Sequence, residues 1–317
     1  MDQTNHSVVV AESVVVKWLT PPEPLPQPAP EMFAHLTEVC FTATATPYAA
    51  LSRRAEDGGE LLLALVTAYL PDAEDGWKWC VDEAVSGGTA FAAELGVLAA
   101  DLHTALATPS SVLPSPVRHA PDPQAEHGRA PWAGPWAERA EAAVREALAL
   151  TGGDDGRWLS DRADALRAEL APLAAAGATP LIRIHGDLHV GQVLRWRNGY
   201  AVIDFDGNPT VTTADPFQPA ARDLAQLTTS LEHVGQVAVR RRDADPLATG
   251  AWTAAARAAL RGAYLSRLTE RGHADLLDLS LVRPFEIEQE CRELIYAARR
   301  LPRWRYAPMG VLRSWYP

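Results

Sequence analysis

The sequence predicts an α+β fold in two unequal lobes, a small strand-bearing N-terminal one and a large, mainly helical C-terminal one. Three observations carry this. The chain opens with two valine runs, Val8-Val9-Val10 and Val14-Val15-Val16, whose β-branched side chains favour a pleated strand. From Trp77 onward the apolar residues recur at helical spacing, as in Phe91, Leu95, Leu98, Leu102 and Leu106. Deep in the helical part, Trp196 to Tyr200 read as a tight hairpin, because Asn198-Gly199 tolerates the positive φ that such turns require.

In chain order, residues 7–19 read as two short strands, with Lys17 at the end of the second. Pro21 to Pro30 is too rich in proline for the interior of a regular element. Residues 31–40 read as a short helix. Residues 60–70 read as a strand carrying Leu61, Leu62, Leu63, Leu65 and Val66, stopped by Pro71. Residues 108–136, rich in Pro, Ser and Gly and without a period, read as a long exposed loop. Residues 137–149 and 159–176 read as Ala-rich amphipathic helices, and Leu181 to Ile184 as a strand. Helices resume near Ala221, over Trp252 to Thr269 and over Pro284 to Arg300. His103, inside the helix that follows Trp77, reads as an ordinary packed or surface residue. No internal repeat is visible. The organisation expected is a lobe over 1–70, with nucleotide-binding strands and a hinge, and a lobe over 71–317.

Bulk properties narrow the function. With 317 residues and 47% hydrophobic content, the chain has ample material for a buried core. A formal charge of −11 argues against nucleic acid and anionic membranes, which would be repelled at long range; it does not exclude a nucleotide bound locally with its own cation. Cys40, Cys80 and Cys291 are far apart and form no C-x-x-C motif, which fits a reducing compartment. The N-terminus lacks a basic segment followed by an apolar core, and no apolar run is long enough to span a bilayer. A cytoplasmic enzyme is the expectation.

Two acidic clusters carry the chemistry: His185-Gly186-Asp187-Leu188-His189-Val190-Gly191-Gln192, then Ile203-Asp204-Phe205-Asp206. The hairpin between them folds the second back beside the first, so Asp187, Gln192, Asp204 and Asp206 can share one volume. Facing carboxylates repel unless a cation sits between them, and hard oxygen ligands without thiolate support suit Mg²⁺ with bound phosphate. Kinase catalytic loops place an Asp base five residues before an amide that binds metal, with a second Asp on the next strand pair. Asp187 and Gln192 have that spacing, and Asp204 is the strand-end carboxylate. Asp187 is the candidate base, and Gln192 and Asp204 are candidate Mg²⁺ ligands. Asp206 reads either as a ligand of a second metal ion or as a turn residue closing the hairpin exit. His185 reads as a structural loop residue. His189 lies beside the cluster, but two histidines without soft ligands do not make a zinc site.

The segments HGDLHVGQVLR and AVIDFDGNP resemble the C-lobe signature of the aminoglycoside-phosphotransferase and maltokinase superfamily, which has a protein-kinase-like fold. Leu70 to Trp77 resembles the maltokinase stretch after the interlobe hinge, and Ala221-Arg222-Asp223-Leu224-Ala225 resembles the R-D-[LV]-A motif. Tyr296-Ala297-Ala298-Arg299 with Pro302 and Trp304 resembles the maltokinase C-terminal motif. The similarity runs from about residue 60 onward and is closest to the actinobacterial glucosamine kinases. It implies ATP as co-substrate, one or two Mg²⁺ ions, and phosphoryl transfer to a sugar hydroxyl, most closely O6 of glucosamine. It also implies that backbone groups of Val66, Ala68 and Tyr69 face adenine, and that Lys17 holds the α- and β-phosphates with Glu31 or Glu38 as its helix partner. Asp223 would support the catalytic loop from below.

The resemblance further makes the C-terminal helix the sugar platform, with Glu286, Gln289, Glu290, Glu293 and Tyr296 lining one side at helical spacing. Maltokinases usually carry Lys at the position of Gln289 and Tyr at that of Arg292. Gln289 removes a positive charge, which suits a substrate bearing an ammonium group. Glu290 or Glu293 would supply the complementary carboxylate, and Trp304 would stack on the sugar ring. Only sixteen residues precede Lys17, and no glycine-containing phosphate loop is visible, so a shortened N-lobe is expected. Rival readings are a maltokinase, an antibiotic phosphotransferase, or a binding pseudokinase with little turnover.

Overall fold

A computed structural model describes residues 6–56, 58–120, 135–207 and 215–317 of the chain. It opens with strands β1 (His6–Val10) and β2 (Val14–Pro24), paired antiparallel around a turn in which Ala11 and Glu12 take φ of 51° and 49°. Contrary to expectation, β2 continues into the proline-rich stretch. Its ladder to the next strand is interrupted between Trp18 and Glu23, and Pro21 and Pro22 sit in that interruption, where a residue lacking an N–H costs no pairing.

Helix α1 (Pro28–Glu38) starts earlier than the sequence reading placed it, because prolines in a first helical turn give up amides that have no partner there anyway. Strands β3 (Pro47–Arg54) and β4 (Glu60–Ala68) complete an antiparallel sheet of order β1-β2-β4-β3. β3 was not expected: its sequence PYAALSRR has no apolar alternation, and most of it is exposed. Side chains alternate across the sheet. Ser7, Val9, Val15, Lys17, Leu65 and Thr67 face a cleft. Val8, Val10 and Trp18 point the other way and are nearly half exposed.

The rest is chiefly helical. Helices α2 (Gly76–Ser86) and α3 (Ala90–Leu106) are followed by the short strand β5 (Arg118–His119). Of the loop expected over 108–136, residues 121–134 lie outside the described residues; Trp136 belongs to helix α4 (Pro135–Leu150) and is buried. The helix expected over 159–176 is three short ones in sequence, α5 (Gly153–Asp161), α6 (Ala163–Glu169) and α7 (Ala171–Ala175), with breaks at Arg162 and Leu170.

Strand β6 (Pro180–Arg183) leads into the first acidic cluster, and strands β7 (Val193–Trp196) and β8 (Gly199–Val202) form the expected hairpin. Trp196 pairs with Gly199, so the turn residues are Arg197-Asn198, one position earlier than expected, and of Asn198 and Gly199 only Gly199 takes a positive φ, 115°. A two-residue strand β9 (Phe217–Gln218) pairs with β6. Helices α8 (Ala221–Arg242), α9 (Pro246–Glu270), α10 (Val282–Arg299) and α11 (Tyr306–Trp315) close the chain. None of the described helices is long and apolar enough to cross a membrane.

One continuous apolar cluster runs from Leu36 and Leu62 near the sheet through Trp79, Leu95, Phe205 and Leu224 to Leu260 and Ile287. Helices α3 and α9 meet at Gly96, where an added Cβ would lie 2.2 Å from the carbonyl oxygen of Leu260. That close approach places the far end of α3, and His103 with it, against Tyr264 of α9.

Candidate active site

The segment between β6 and β7 has little regular hydrogen bonding of its own, so neighbouring elements must supply its partners. Helix α8 supplies most of them. Asp223, fully buried in its first turn, accepts from the backbone N–H of His185 (2.8 Å) and of Gly186 (2.9 Å), the latter at a φ of 82° that suits glycine. One turn further, Gln226 donates from Nε2 to Asp187 Oδ1 at 2.7 Å. Another turn on, Ser230 Oγ accepts from the Val190 N–H at 3.1 Å.

Asp223 is itself held. His103 Nε2 lies 3.2 Å from its Oδ2, and His103 Nδ1 is 2.6 Å from the Tyr264 hydroxyl. A carboxylate only accepts, so Nε2 carries the proton and, in the neutral ring, Tyr264 donates to Nδ1. Burial disfavours the Asp223 anion, but His103 and the loop amides outweigh it and hold the carboxyl below its ordinary range. His103 is therefore a core residue tied through Asp223 to the loop after β6, more than its helical position alone implied.

The two acidic clusters meet. His185 Nε2 donates to the Ile203 carbonyl at 2.9 Å, and Ile203 N–H donates to the Gln192 carbonyl at 2.9 Å. The hairpin register sets Val202 opposite Val193, which carries Asp204 round to Gln192. Asp204 takes a φ of 68°, a left-handed conformation that Asp tolerates better than most residues. Gln192 Nε2 points at Asp187 Oδ2 at 3.4 Å, which turns its carbonyl oxygen away from that carboxylate. Gln192, Asp204 and Asp206 all line a cleft of about 660 Å³, a size typical of small-molecule sites. Behind the loop, the start of α2 packs closely: a Cβ on Gly76 would lie 1.6 Å from the Val190 carbonyl oxygen.

Lys17 reaches across from the sheet, its Nζ 2.6 Å from Asp204 and 2.5 Å from Asp206. This corrects the expected partnership with Glu31 or Glu38. Glu31 instead pairs with Arg183, and Glu38 accepts from the amide and hydroxyl of Ser111. Helix α1 meets β6 and the segment after α3, so its acids are used there. Burial works against the Lys17 cation and against the Asp204 anion; their pairing outweighs it, raising Lys17 and lowering Asp204. Burial and the neighbouring Asp204 charge push Asp206 up.

Two carboxylates thus converge on a single cation position, with one amide oxygen near by. Among the described residues no three His, Cys, Asp or Glu side chains form a closed metal cage. A sparse all-oxygen set fits Mg²⁺, which keeps several waters and takes its other ligands from phosphate.

At the end of the cleft expected to take the nucleotide, Ala68 and Tyr69 line it with Thr44, Ala45 and Leu70. Val66 is not among its lining residues; it sits mid-strand between Val16 and Ala49. The amides of the hinge are used within the protein: Ala68 N–H donates to Thr46 O and Tyr69 N–H to Ser13 O. Of the backbone groups expected to face adenine, these two N–H groups are therefore already paired, because the β1–β2 turn and the segment before β3 close onto the hinge.

On the opposite side, His189 Nε2 is 3.7 Å from Asp187 Oδ2. Burial would lower the imidazole, but Asp187, then Glu293, raise it. Trp77 lies between His189 (ring centroids 5.7 Å) and Trp304 (5.8 Å). The α10 residues do not form one wall. Glu286 and Glu290 are buried toward α8 and α9, Glu286 accepting from Thr228 and Arg257, and Glu290 meeting His233 Nε2 at 3.0 Å. Gln289 and Trp304 Nε1 both donate to Glu293, at 3.0 and 2.7 Å, and Tyr296 borders the cleft. The helical period explains the split, since 286 and 290 lie a full turn apart on the inner face whereas 289, 293 and 296 share the neighbouring stripe. Glu290 is thereby corrected from a sugar-facing residue to a core one.

Residues not singled out in the sequence are Gln226, Ser230, His233, Tyr264, Gly76 and Trp77. A signal existed for three of them: Asp223, Gln226, Ser230 and His233 recur at i, i+3, i+7 and i+10, a polar stripe on one helix face that begins at the R-D-L-A motif.

The profile of the phosphotransferase enzyme family (APH) matches residues 41–222. A glucosamine kinase of Streptacidiphilus jiangxiensis is 40% identical over 97% of this chain and 70% of its own length. One from Mycolicibacterium smegmatis is 36% identical over 98% of this chain and 77% of its own. The structure of a glucosamine kinase in complex with glucosamine, ADP and inorganic phosphate superposes with a TM-score of 0.85 at 36% identity, covering 98% of this chain and 79% of that one.

Proposed function

The chain belongs to the phosphotransferase enzyme family (APH), and from that premise we propose that it is an ATP-dependent sugar kinase that converts glucosamine to glucosamine 6-phosphate. The observation that carries the reading is that Lys17, Gln192, Asp204 and Asp206 line one cleft that also borders the hinge, with Asp187 Oδ2 3.4 Å from the Gln192 amide. In this reading residues 1–70 serve the nucleotide and residues 71–317 serve the sugar and the chemistry.

Asp187 accepts the hydrogen bond of the sugar O6–H and aims the oxygen at the γ-phosphorus, taking the proton as the bond to phosphorus forms and ADP leaves. Such a transfer has a loose transition state, so alignment and charge neutralisation matter more than base strength. Gln192 through its carbonyl oxygen, Asp204 and Asp206 would hold Mg²⁺, which supplies charge neutralisation to the polyphosphate. With the nucleotide bound, the Lys17 ammonium exchanges carboxylate partners for phosphate oxygens, which its flexible stem allows.

Glu293 is the residue we assign to the sugar's ammonium group. It is half-buried beside Trp304 and Gln289, whereas Glu290 is already committed to His233. His189, between Asp187 and Glu293, is placed to bond a ring hydroxyl, and Trp77 and Trp304 offer aromatic surface to the ring.

The test is a coupled ADP-release assay with glucosamine, glucose, maltose and kanamycin. Glucosamine is expected to be the best acceptor, and Asp187→Asn should lower kcat about a thousandfold, in the range for loss of a positioned base. Turnover with maltose or kanamycin but not glucosamine would transfer the assignment to that acceptor, and no stimulated turnover with any of them would favour a binding role.

A further inference from the structure

We propose that Gln226 is a positioning residue for phosphoryl transfer, fixing the rotamer of Asp187 so that one carboxylate oxygen is reserved for the acceptor hydroxyl. The inference rests on the sugar-kinase reading. Gln226 is only 6% exposed, and its Nε2 lies 2.7 Å from Asp187 Oδ1. The orientation of its amide is forced by chemistry: an ionised carboxylate can only accept, so the NH₂ end must face it.

The geometry separates the two oxygens of Asp187. Oδ1 is turned toward α8 and held by Gln226. Oδ2 is turned toward Gln192 Nε2 at 3.4 Å and His189 Nε2 at 3.7 Å, two residues that line the cleft. Of the two amides, Gln226 makes the shorter contact. It also stands on the element that anchors the loop backbone through Asp223 and Ser230, so loop and base are aligned to one rigid helix. Gln192 cannot hold the carboxylate alone, because its carbonyl end is the one offered to the cation. Without Gln226, Oδ1 would lose the 2.7 Å donor that keeps it on the helix side. The acceptor hydroxyl would lose its fixed partner, and water would compete for the phosphoryl group.

The experiment compares wild type with Gln226→Met, which keeps the length and removes the donor, and Gln226→Asn, which keeps the amide and retracts it. Expected for both is a kcat for glucosamine lowered about tenfold to a hundredfold, the scale of misplacing a catalytic group by about an ångström. KM for ATP and glucosamine should stay within about twofold, and the ratio of ADP to glucosamine 6-phosphate formed should rise above one. Wild-type kcat with a product ratio of one in the Gln226→Met enzyme overturns the inference. So does a fall in kcat that merely tracks the loss of folded protein. Crystal structures of wild type and variant give a readout that needs no acceptor: a changed or split Asp187 rotamer supports the assignment, an unchanged one overturns it. If wild type phosphorylates no sugar, the functional reading fails by itself and the Asp187 rotamer still decides the role of Gln226. If Gln226→Met does not fold, Gln226→Asn decides by the same readouts.

Discussion

Helix α8 packs on the loop after β6 while the N-terminal sheet faces the cleft that this loop borders, and the two hold their functional groups in opposite ways. Every residue of β1 is exposed, and Val8, Val9 and Val10 are each about half exposed. Most of the residues of α8 are buried, including Asp223, Gln226, Thr228, Ser230 and His233. The sheet offers one long, flexible side chain, Lys17, whose stem spans the cleft to its carboxylates. The helix offers short polar groups whose positions are fixed by packing on both sides. An ion can be neutralised from a distance by a mobile charge, but an in-line attack requires angles held to within a few degrees, and only a packed element supplies those.

The comparison can be broken most sharply at Asp223. Asp223→Ala removes the acceptor of two loop amides and of His103, leaving buried donors unpaired; a loss of about 3–5 kcal/mol is expected, read as a lowered denaturation midpoint. A variant as stable as wild type would show that α8 does not hold the loop.

Lys17→Met should act differently. The ion pairs are partly solvated, so stability should fall by only about 1 kcal/mol, while kcat falls about a hundredfold through lost charge stabilisation. Because Asp204 and Asp206 then face each other without a cation, added Mg²⁺ should raise the melting temperature of the variant more than that of wild type. Equal Mg²⁺ responses would argue against a shared cation position.

A third effect is pH-linked and belongs to the helix side. Burial disfavours the His233 cation, but Glu290 and Glu293 raise it to about 9; burial pushes Glu290 up to about 7. Both groups hold protons more tightly folded than unfolded. The His233 contribution is full below pH about 6.5 and is lost as pH rises through about 9. The Glu290 contribution has the same sign and is lost as pH rises from about 4.5 through 7. Melting temperature should therefore decline from pH 6 to 9, and the slope should flatten in His233→Gln/Glu290→Gln, whose two amides do not titrate. A double variant with the wild-type slope would exclude this pair as its source.

The smallest effect is expected on the sheet. Val8→Thr and Val10→Thr keep β-branching on an exposed face and should change stability by no more than about 0.5 kcal/mol, measured by urea unfolding. A larger loss would mean that this face is covered in solution.

Much of the architecture was legible because it is written in local patterns. The valine runs, the hairpin signalled near Asn198-Gly199 and the leucine period from Phe91 to Leu106 each specify an element within a few residues. The acidic clusters were legible because their spacing spans a single hairpin. Strand β3 was not, since an exposed strand bears little apolar alternation. The partners of Lys17, Glu31 and Glu38 were not, because each lies more than seventy residues away in the chain.

The sequence by itself determined which side chains could do phosphoryl chemistry and that a turn would bring them together, because hairpin register and loop spacing are local properties. The tertiary structure alone decided which acid faces which cation, that Glu290 is buried against His233 while Glu293 is only half-buried, and that Gln226 reaches Asp187. Those outcomes depend on the rotation of one helix against another, and packing of whole faces sets that angle.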